Sequence, residues 1–348
     1  LADLLENSYF RIPANRAKNR IRVVPSIPQS RIIARLMRIL LVKTSSLGDV
    51  IHNLPVVTDL RAHFPAAVID WVVEEGFAEL PRLHPGVRRV LPVALRRWRG
   101  ALFAAATWRE IGFFRAALQE ESYDLVIDTQ GLLKSALIAR MARGRRCGMA
   151  AAAAREPLAA RFYDASFDVP RDLHAVLRNR RLAALAGAYV AAPAVDYGIA
   201  VAPAPTANNS ALLLTATSRD DKLWPEDRWI ALGRALHERG LACLLPAGSA
   251  TERERAARIA QAIPGATVLP PMRLTELAAQ LAAARIVVGV DTGLAHLAAA
   301  LGRPVLALFS ASDPALTGVL ASTPAINLGS RGQSPGVHDV LAAALPLL

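Results

Sequence analysis

Residues 37–49 read Met-Arg-Ile-Leu-Leu-Val-Lys-Thr-Ser-Ser-Leu-Gly-Asp. An apolar run at 39–42 passes through hydroxyls, a glycine and an acid into a helical pattern. This is how a buried strand joins a helix across a short polar loop. The same unit recurs along the chain. Further apolar runs lie at 69–73, 125–128, 212–215, 242–246, 266–269, 286–290 and 305–309. Helical patterns at 108–119, 133–142, 227–239, 252–263 and 274–283 fall between several of them. Strand–helix alternation with apolar strands predicts an α/β protein with parallel sheets.

The chain has 348 residues, which suits two domains. The segment 201–210, rich in Pro, Ala and Asn, is the best linker, with an α/β unit of similar size on each side. We therefore expect an extension at 1–36, one domain at 37–203 and a second at 204–348. Two such domains make a cleft, and ligands bind beyond the carboxyl ends of the strands. With 53% hydrophobic and 20% charged residues, the chain can bury a core and is not disordered as a whole. Aromatics at only 5%, with abundant alanine, disfavour an all-β sandwich. The two cysteines, Cys147 and Cys243, stand far apart, which excludes a disulfide scaffold and fits a reducing compartment.

The formal charge is +12. Residues 1–36 carry seven Lys/Arg against two Asp/Glu, leaving +7 for the remainder. A basic body suits an anionic partner, namely nucleic acid, an acidic membrane or a phosphorylated substrate; an arginine-preferring composition explains it equally well. Residues 1–36 lack the apolar core and cleavage site of a signal peptide. The most apolar long stretch, 182–205, is interrupted by Pro193, Asp196 and Pro203, which argues against a spanning helix. Membrane contact would be peripheral.

Four motifs follow strands or stand in basic runs. In VKTSSLGD, Gly48 permits close approach and Asp49 stands at the helix entrance, as a cap or as a general base. The loop lacks the spacing of a P-loop or a dinucleotide fingerprint. In 215–226, TATSRDDKLWPE, hydroxyls and Lys222 suit a diphosphate, or form an ordinary helix start at Pro225 and Glu226. In VDTGLAH, 290–296, Gly293 bares helix N-terminal amides to an anion, and Thr292 and His296 share a face. A histidine so placed is as well read as a packed, hydrogen-bonded residue, and no second histidine stands at zinc-ligand spacing. Arg96-Arg97-Trp98-Arg99 is either a solvated basic face or a set of forks for carboxylates and phosphates, to which Lys134 could add.

Taken together, MRILLVKTSSLGDVIHNLP, DWVVEEGF, RRWR, IDTQGLLKSA, AREPLA, TSRDDKLWPEDRW, the 246–255 segment and VDTGLAHLAAALGRP run in order from Met37 to about Pro304. On these pieces the chain resembles glycosyltransferase family 9, the lipopolysaccharide heptosyltransferases. The resemblance implies a GT-B fold of two Rossmann-like domains. It implies inverting, metal-independent transfer of heptose from ADP-L-glycero-β-D-manno-heptose to the Kdo of Kdo2-lipid A, with no cofactor. It further implies a monomer at the cytoplasmic face of the inner membrane, with no nucleic-acid partner. By the same resemblance Asp49 is the catalytic base. Thr217, Ser218 and Lys222 hold the diphosphate, and Lys222 also assists its departure. Glu252 holds the ribose, Met272 lies near adenine, and Asp291, Thr292, Gly293 and His296 complete the donor site. Arg96, Arg97 and Arg99, with Lys134, receive the acceptor. Ser218 stands where threonine is expected, and Gly100 where a lysine is common. The rival readings are a family member with another acceptor, a non-catalytic nucleotide- or nucleic-acid-binding α/β protein, and a dehydrogenase. RRWR, VVEEGF and TSSLGD disfavour the first. Missing aromatics on a basic groove and a missing GxGxxG disfavour the others.

Overall fold

The computed structural model describes residues 36–205 and 209–348. The proposed extension at 1–36 lies outside them except for Leu36, as do residues 206–208 of the proposed linker. Two six-stranded sheets form, every strand pair parallel. The first holds β1 (Arg38–Val42), β2 (Val68–Glu74), β3 (Val87–Val93), β4 (Ser122–Asp128), β5 (Arg143–Met149) and β6 (Ala165–Phe167), in the order β3-β2-β1-β4-β5-β6. The second holds β7 (Ser210–Leu214), β8 (Ala242–Leu245), β9 (Thr267–Val268), β10 (Ile286–Val290), β11 (Val305–Phe309) and β12 (Ala325–Gly329), in the order β12-β11-β10-β7-β8-β9. Numbered from its own first strand, each sheet reads 3-2-1-4-5-6. This is the doubly wound order, with a topological switch between its first and fourth strands.

All eight apolar runs are strands and all five helical patterns are helices, with ends moved by a few residues. The unpredicted strands β3, β5, β6 and β12 lie at or next to sheet edges. There burial is incomplete, so β3 carries Arg88, Arg89 and Pro92, and β5 carries Arg143, Arg145 and Arg146. Charges and proline suit an edge and mask the apolar signal.

Side-chain alternation in β1 divides the first core. Ile39 and Leu41 pack with Leu54, Val57 and Leu60, whereas Leu40 and Val42 pack with Phe114, Leu118 and Ile138. The first of these clusters continues without a break into Leu212, Leu214 and Leu297 of the second half. The two sheets are therefore joined by a shared apolar layer as well as by chain. Polar ties cross the same seam: Tyr197 Oη donates to the Leu320 carbonyl at 2.7 Å and Thr275 N–H to Glu79 at 2.9 Å. Among the described residues, no helix is long and apolar enough to cross a membrane.

Candidate active site

At the switch point of the first sheet the chain leaves β1 and turns through Lys43–Ser46 into the short helix Leu47–Ile51. Ser46, not Asp49, is the N-cap. Asp49 lies in the first turn, where its Oδ2 accepts from Ser46 N–H at 2.9 Å and Ser46 Oγ at 3.1 Å. The loop is held from the neighbouring strand end. Gln130 Oε1 accepts from Thr44 N–H at 3.0 Å and Ser45 N–H at 3.3 Å. Asp128, fully buried, takes Gln130 N–H at 2.8 Å, Ser135 Oγ at 2.8 Å and Tyr163 Oη at 2.7 Å. Burial raises the Asp128 carboxyl pKa, and these hydrogen bonds act against the rise.

The Asp49 side chain keeps 26% exposure. Burial alone would raise its pKa. The Lys43 ammonium at 4.0 Å, the Ser46 amide and the Arg155 guanidinium at 3.7 Å outweigh that and hold it below the ordinary aspartate range. Lys43 is buried, its Nζ donating to the Thr129 carbonyl at 3.0 Å and to Asn179 Oδ1 at 3.5 Å. Burial lowers its pKa, opposed by Asp49. Lys43, Gln130 and Arg155 belong to strings quoted above, but each alone reads as an ordinary loop or strand-end residue. Only folding shows that they converge on one carboxylate and its loop.

The second half brings its own switch point to the same place. Beyond β10, Thr292 caps the helix Gly293–Ala300. This helix meets the Leu47–Ile51 helix across the seam with almost no side chain between them. A Cβ on Gly293 would stand 2.6 Å from Leu47 Cγ, and one on Gly48 would stand 3.4 Å from His296 Cδ2. Glycine at 293 is what permits this approach, whereas a methyl at 48 would make ordinary contact. Beside the seam opens a cavity of about 350 Å³. Thr217, Ser218, Glu252, Met272 and Thr292 line it, and Leu47 closes it from the first half.

The remaining donor-site candidates stand close behind. Lys222 Nζ donates to Asp291 Oδ2 at 2.6 Å, and Ser312 Oγ donates to the same oxygen. Thr217 Oγ1 donates to the Asp291 carbonyl at 3.1 Å. The loop carrying Lys222 is pinned by Trp224, which is buried against Trp229 and donates to the Pro335 carbonyl at 2.9 Å. Glu252 occupies the first turn of its helix, and its Oε2 accepts from Gly248 N–H at 2.8 Å and Ser249 N–H at 3.0 Å.

His296 is buried and pairs with His52, Nδ1 to Nε2, at 3.2 Å. His174 adds a third ring, centred 5.8 Å from His52. Burial, reinforced by the neighbouring imidazole, pushes His52 well below the usual histidine range. His296 falls to about 4, through burial first, with Asp291 and Asp49 opposing. The packed, hydrogen-bonded reading of His296 is the one its geometry takes.

The acceptor candidates are not gathered in one place. Arg97 is tied to Glu75 at 3.0 Å and Glu110 at 2.8 Å, and the Arg96 guanidinium lies 5.6 Å over the Phe77 ring. Arg99 is exposed. Lys134 joins the Asp49 loop instead, 3.4 Å from Ser45 Oγ.

The model of glycosyltransferase family 9 (heptosyltransferase) matches residues 111–343. Lipopolysaccharide heptosyltransferase 1 of Escherichia coli K12 is 48% identical over 288 residues, 81% of this chain and 90% of that one. The Pseudomonas aeruginosa protein of the same name is 48% identical over 299 residues, 84% of each chain. The solved structure of E. coli heptosyltransferase WaaC with ADP superposes with a TM-score of 0.85 at 42% identity, covering 90% of this chain and 100% of that one. The same enzyme with ADP-2-deoxy-2-fluoro heptose superposes at 0.82, with the same identity and coverage. Two facing doubly wound halves thus form the GT-B arrangement, and the chain belongs to glycosyltransferase family 9, the heptosyltransferases.

Proposed function

We propose that the chain transfers heptose from ADP-heptose to the Kdo of Kdo2-lipid A, building the lipopolysaccharide inner core at the cytoplasmic face of the inner membrane. One observation carries this reading: the helix bearing Asp49 abuts the helix Gly293–Ala300, and Leu47 closes the cavity that the donor-site candidates line. The division of labour is then 37–203 for the acceptor and 204–348 for the ADP-sugar.

In this scheme the adenosine lies along the cavity, with Met272 by the base and Glu252 by the ribose. The diphosphate meets Thr217, Ser218, Lys222 and the amides beginning at Thr292–Gly293. An incoming diphosphate competes with Asp291 for the Lys222 ammonium. Charge that develops on departing ADP is met by that cation and by the helix N-terminus, so the leaving group needs no metal. Asp49 belongs to the other half, and an inverting, in-line displacement has it reach the anomeric carbon from the side opposite the diphosphate. Its low pKa keeps it ionised at neutral pH. It therefore takes the acceptor proton only as the new bond forms. Lys134 and Arg155, beside the Asp49 loop, and Arg96, Arg97 and Arg99 further out, offer cations to the carboxylates and phosphates of the acceptor.

The test is a transfer assay with ADP-heptose and Kdo2-lipid A, reading both ADP release and product mass. ADP with a lipid heavier by one heptose supports the reading. ADP release without that product reduces the activity to donor hydrolysis, and transfer only to an already heptosylated lipid assigns a different acceptor.

A further inference from the structure

Among the described residues, the surface at 102–113 departs from an ordinary solvated face. Phe103 is fully exposed, Phe113 is 74% exposed, Trp108 61% and Leu102 48%. They come from one unit, the loop 101–104 and the helix Ala105–Gln119 that follows it. Trp108 Nε1 donates to the Leu102 carbonyl at 2.8 Å and Thr107 Oγ1 to the Ala101 carbonyl at 2.8 Å, so loop and helix form a single ridge. Besides Arg109 and Arg115, the outer side of the helix is Ala105, Ala106, Gly112 and Ala116, small residues that leave the rings standing clear. Beside Phe113 a groove of about 320 Å³ runs between Leu91, Trp98 and Phe114.

The charges left unpaired here are of one sign. Between residues 95 and 119 the only carboxylate is Glu110, and it is taken up by Arg97 and by Trp98 Nε1, the latter at 2.8 Å. Arg99, Arg109 and Arg115 remain exposed, with no acidic partner among the described residues. Protruding aromatics flanked by unpaired cations, with the one intervening carboxylate already paired, complement an interface that offers an apolar layer beneath negative headgroups. They do not suit a second copy of the same face, since a two-fold pair would set these arginines against their own mates.

We infer that the ridge at 102–113 seats the protein on the surface of an anionic lipid bilayer. Phe103, Trp108 and Phe113 enter the boundary between headgroups and acyl chains, and Arg99, Arg109 and Arg115 face lipid phosphates. The inference deepens the proposed lipid-linked acceptor and rests on it for purpose: the Arg96–Arg99 stretch directly precedes the ridge, so docking would bring it to the surface where that acceptor is embedded. Docking itself is measured with neither substrate present.

The experiment is sedimentation of the full chain with phosphatidylcholine vesicles, with and without phosphatidylglycerol, at low and high salt. Wild type is expected to bind the anionic vesicles and to be released by salt. Arg109→Gln with Arg115→Gln is expected to bind about 30-fold more weakly, taking roughly fivefold for each arginine near the surface. Phe103→Ser with Phe113→Ser is expected to lose binding to a similar degree. Both pairs should keep the wild-type circular dichroism, and both should keep transfer to a de-acylated, water-soluble acceptor. Wild type that ignores anionic vesicles, or either pair binding as wild type does, overturns the proposal. So does a concentration-dependent dimer that Phe103→Ser with Phe113→Ser abolishes, in a protein without vesicle binding. Vesicle binding retained without transfer to the soluble acceptor leaves docking standing and removes the acceptor reading instead.

Discussion

Replacing Asp49 by alanine separates the chemistry of the site from its stability. If the carboxylate is the base, its loss costs ~10²–10⁴ in turnover, which is about 3–5 kcal/mol of barrier. The structural cost is smaller. Ser46 N–H loses its 2.9 Å acceptor at the start of a short helix, worth about 0.5–2 kcal/mol. The ion pairs at 4.0 Å to Lys43 and 3.7 Å to Arg155 are long. Lys43 keeps the Thr129 carbonyl and Asn179, so it is not left stranded. A loss of about 1–2 kcal/mol leaves most of a typical 5–15 kcal/mol intact, and the variant stays folded. The assay is kcat at saturating donor, read as ADP release and product mass, beside a circular-dichroism melt. The pH arm follows from the depressed carboxyl pKa. The ionised form is favoured in the fold, and its stabilisation is present above the unfolded value and lost as pH falls through the folded one. Acidification from pH 7 should therefore leave this group's contribution to rate unchanged until pH drops below the ordinary aspartate value of 3.8. A folded Asp49→Ala variant turning over within threefold of wild type would refute the assignment. An acidic limb near pH 6 that disappears in Asp49→Asn would refute the electrostatics.

Lys222→Met keeps the aliphatic stem and removes the cation 2.6 Å from Asp291. ADP should bind about 10- to 100-fold more weakly by titration calorimetry, the range for a lost charged hydrogen bond, and unchanged affinity would take Lys222 out of the diphosphate site. Gly293→Ala puts a methyl 2.6 Å from Leu47 Cγ, and relieving it should cost about 1–3 kcal/mol and part the two helices. Turnover should fall in Gly293→Ala and recover in part when Leu47→Ala is added, and a single variant as active as wild type would show that the close approach is not needed. Histidine ring NMR from pH 8 to 5 should find His52 and His296 neutral throughout, because both pKa values are pushed well down by burial. Titration of either ring near 6.5 would mean the seam is wetter or more open than described.

Particular elements show where sequence reading reaches its limit. Strands β1, β4, β7 and β10 are apolar because both faces are buried, so their alternation with helices is plain in the chain and implies the switch points. Strand β5, Arg-Gly-Arg-Arg-Cys-Gly-Met, carries no such signal, because its first four residues keep water contact. Thr217, Ser218, Glu252 and Thr292 stand in the ordered motif strings, Met272 follows from the resemblance alone, and the fold sets all five around one cavity. Gln130 and Arg155 carry no such signal, since a glutamine after a strand and an arginine in a loop say nothing of a target.

The order of apolar strands, the polar loops that end them and the glycines at 48 and 293 are written locally. Neighbouring residues suffice to dictate a strand, a cap or a bare helix N-terminus. Which loop faces which is a long-range matter. Lys43, Gln130 and Arg155 surround the Asp49 loop because β1 and β4 are adjacent and the chain folds back beside them. The ionisation of Asp49, and the neutrality of His52 and His296, depend on how far charges from distant parts of the chain stand from one another and on how little water lies between. For Asp49 those distances are set within the first half, by Lys43 and Arg155, whereas for His52 and His296 they exist only once the two halves have met on their shared apolar layer.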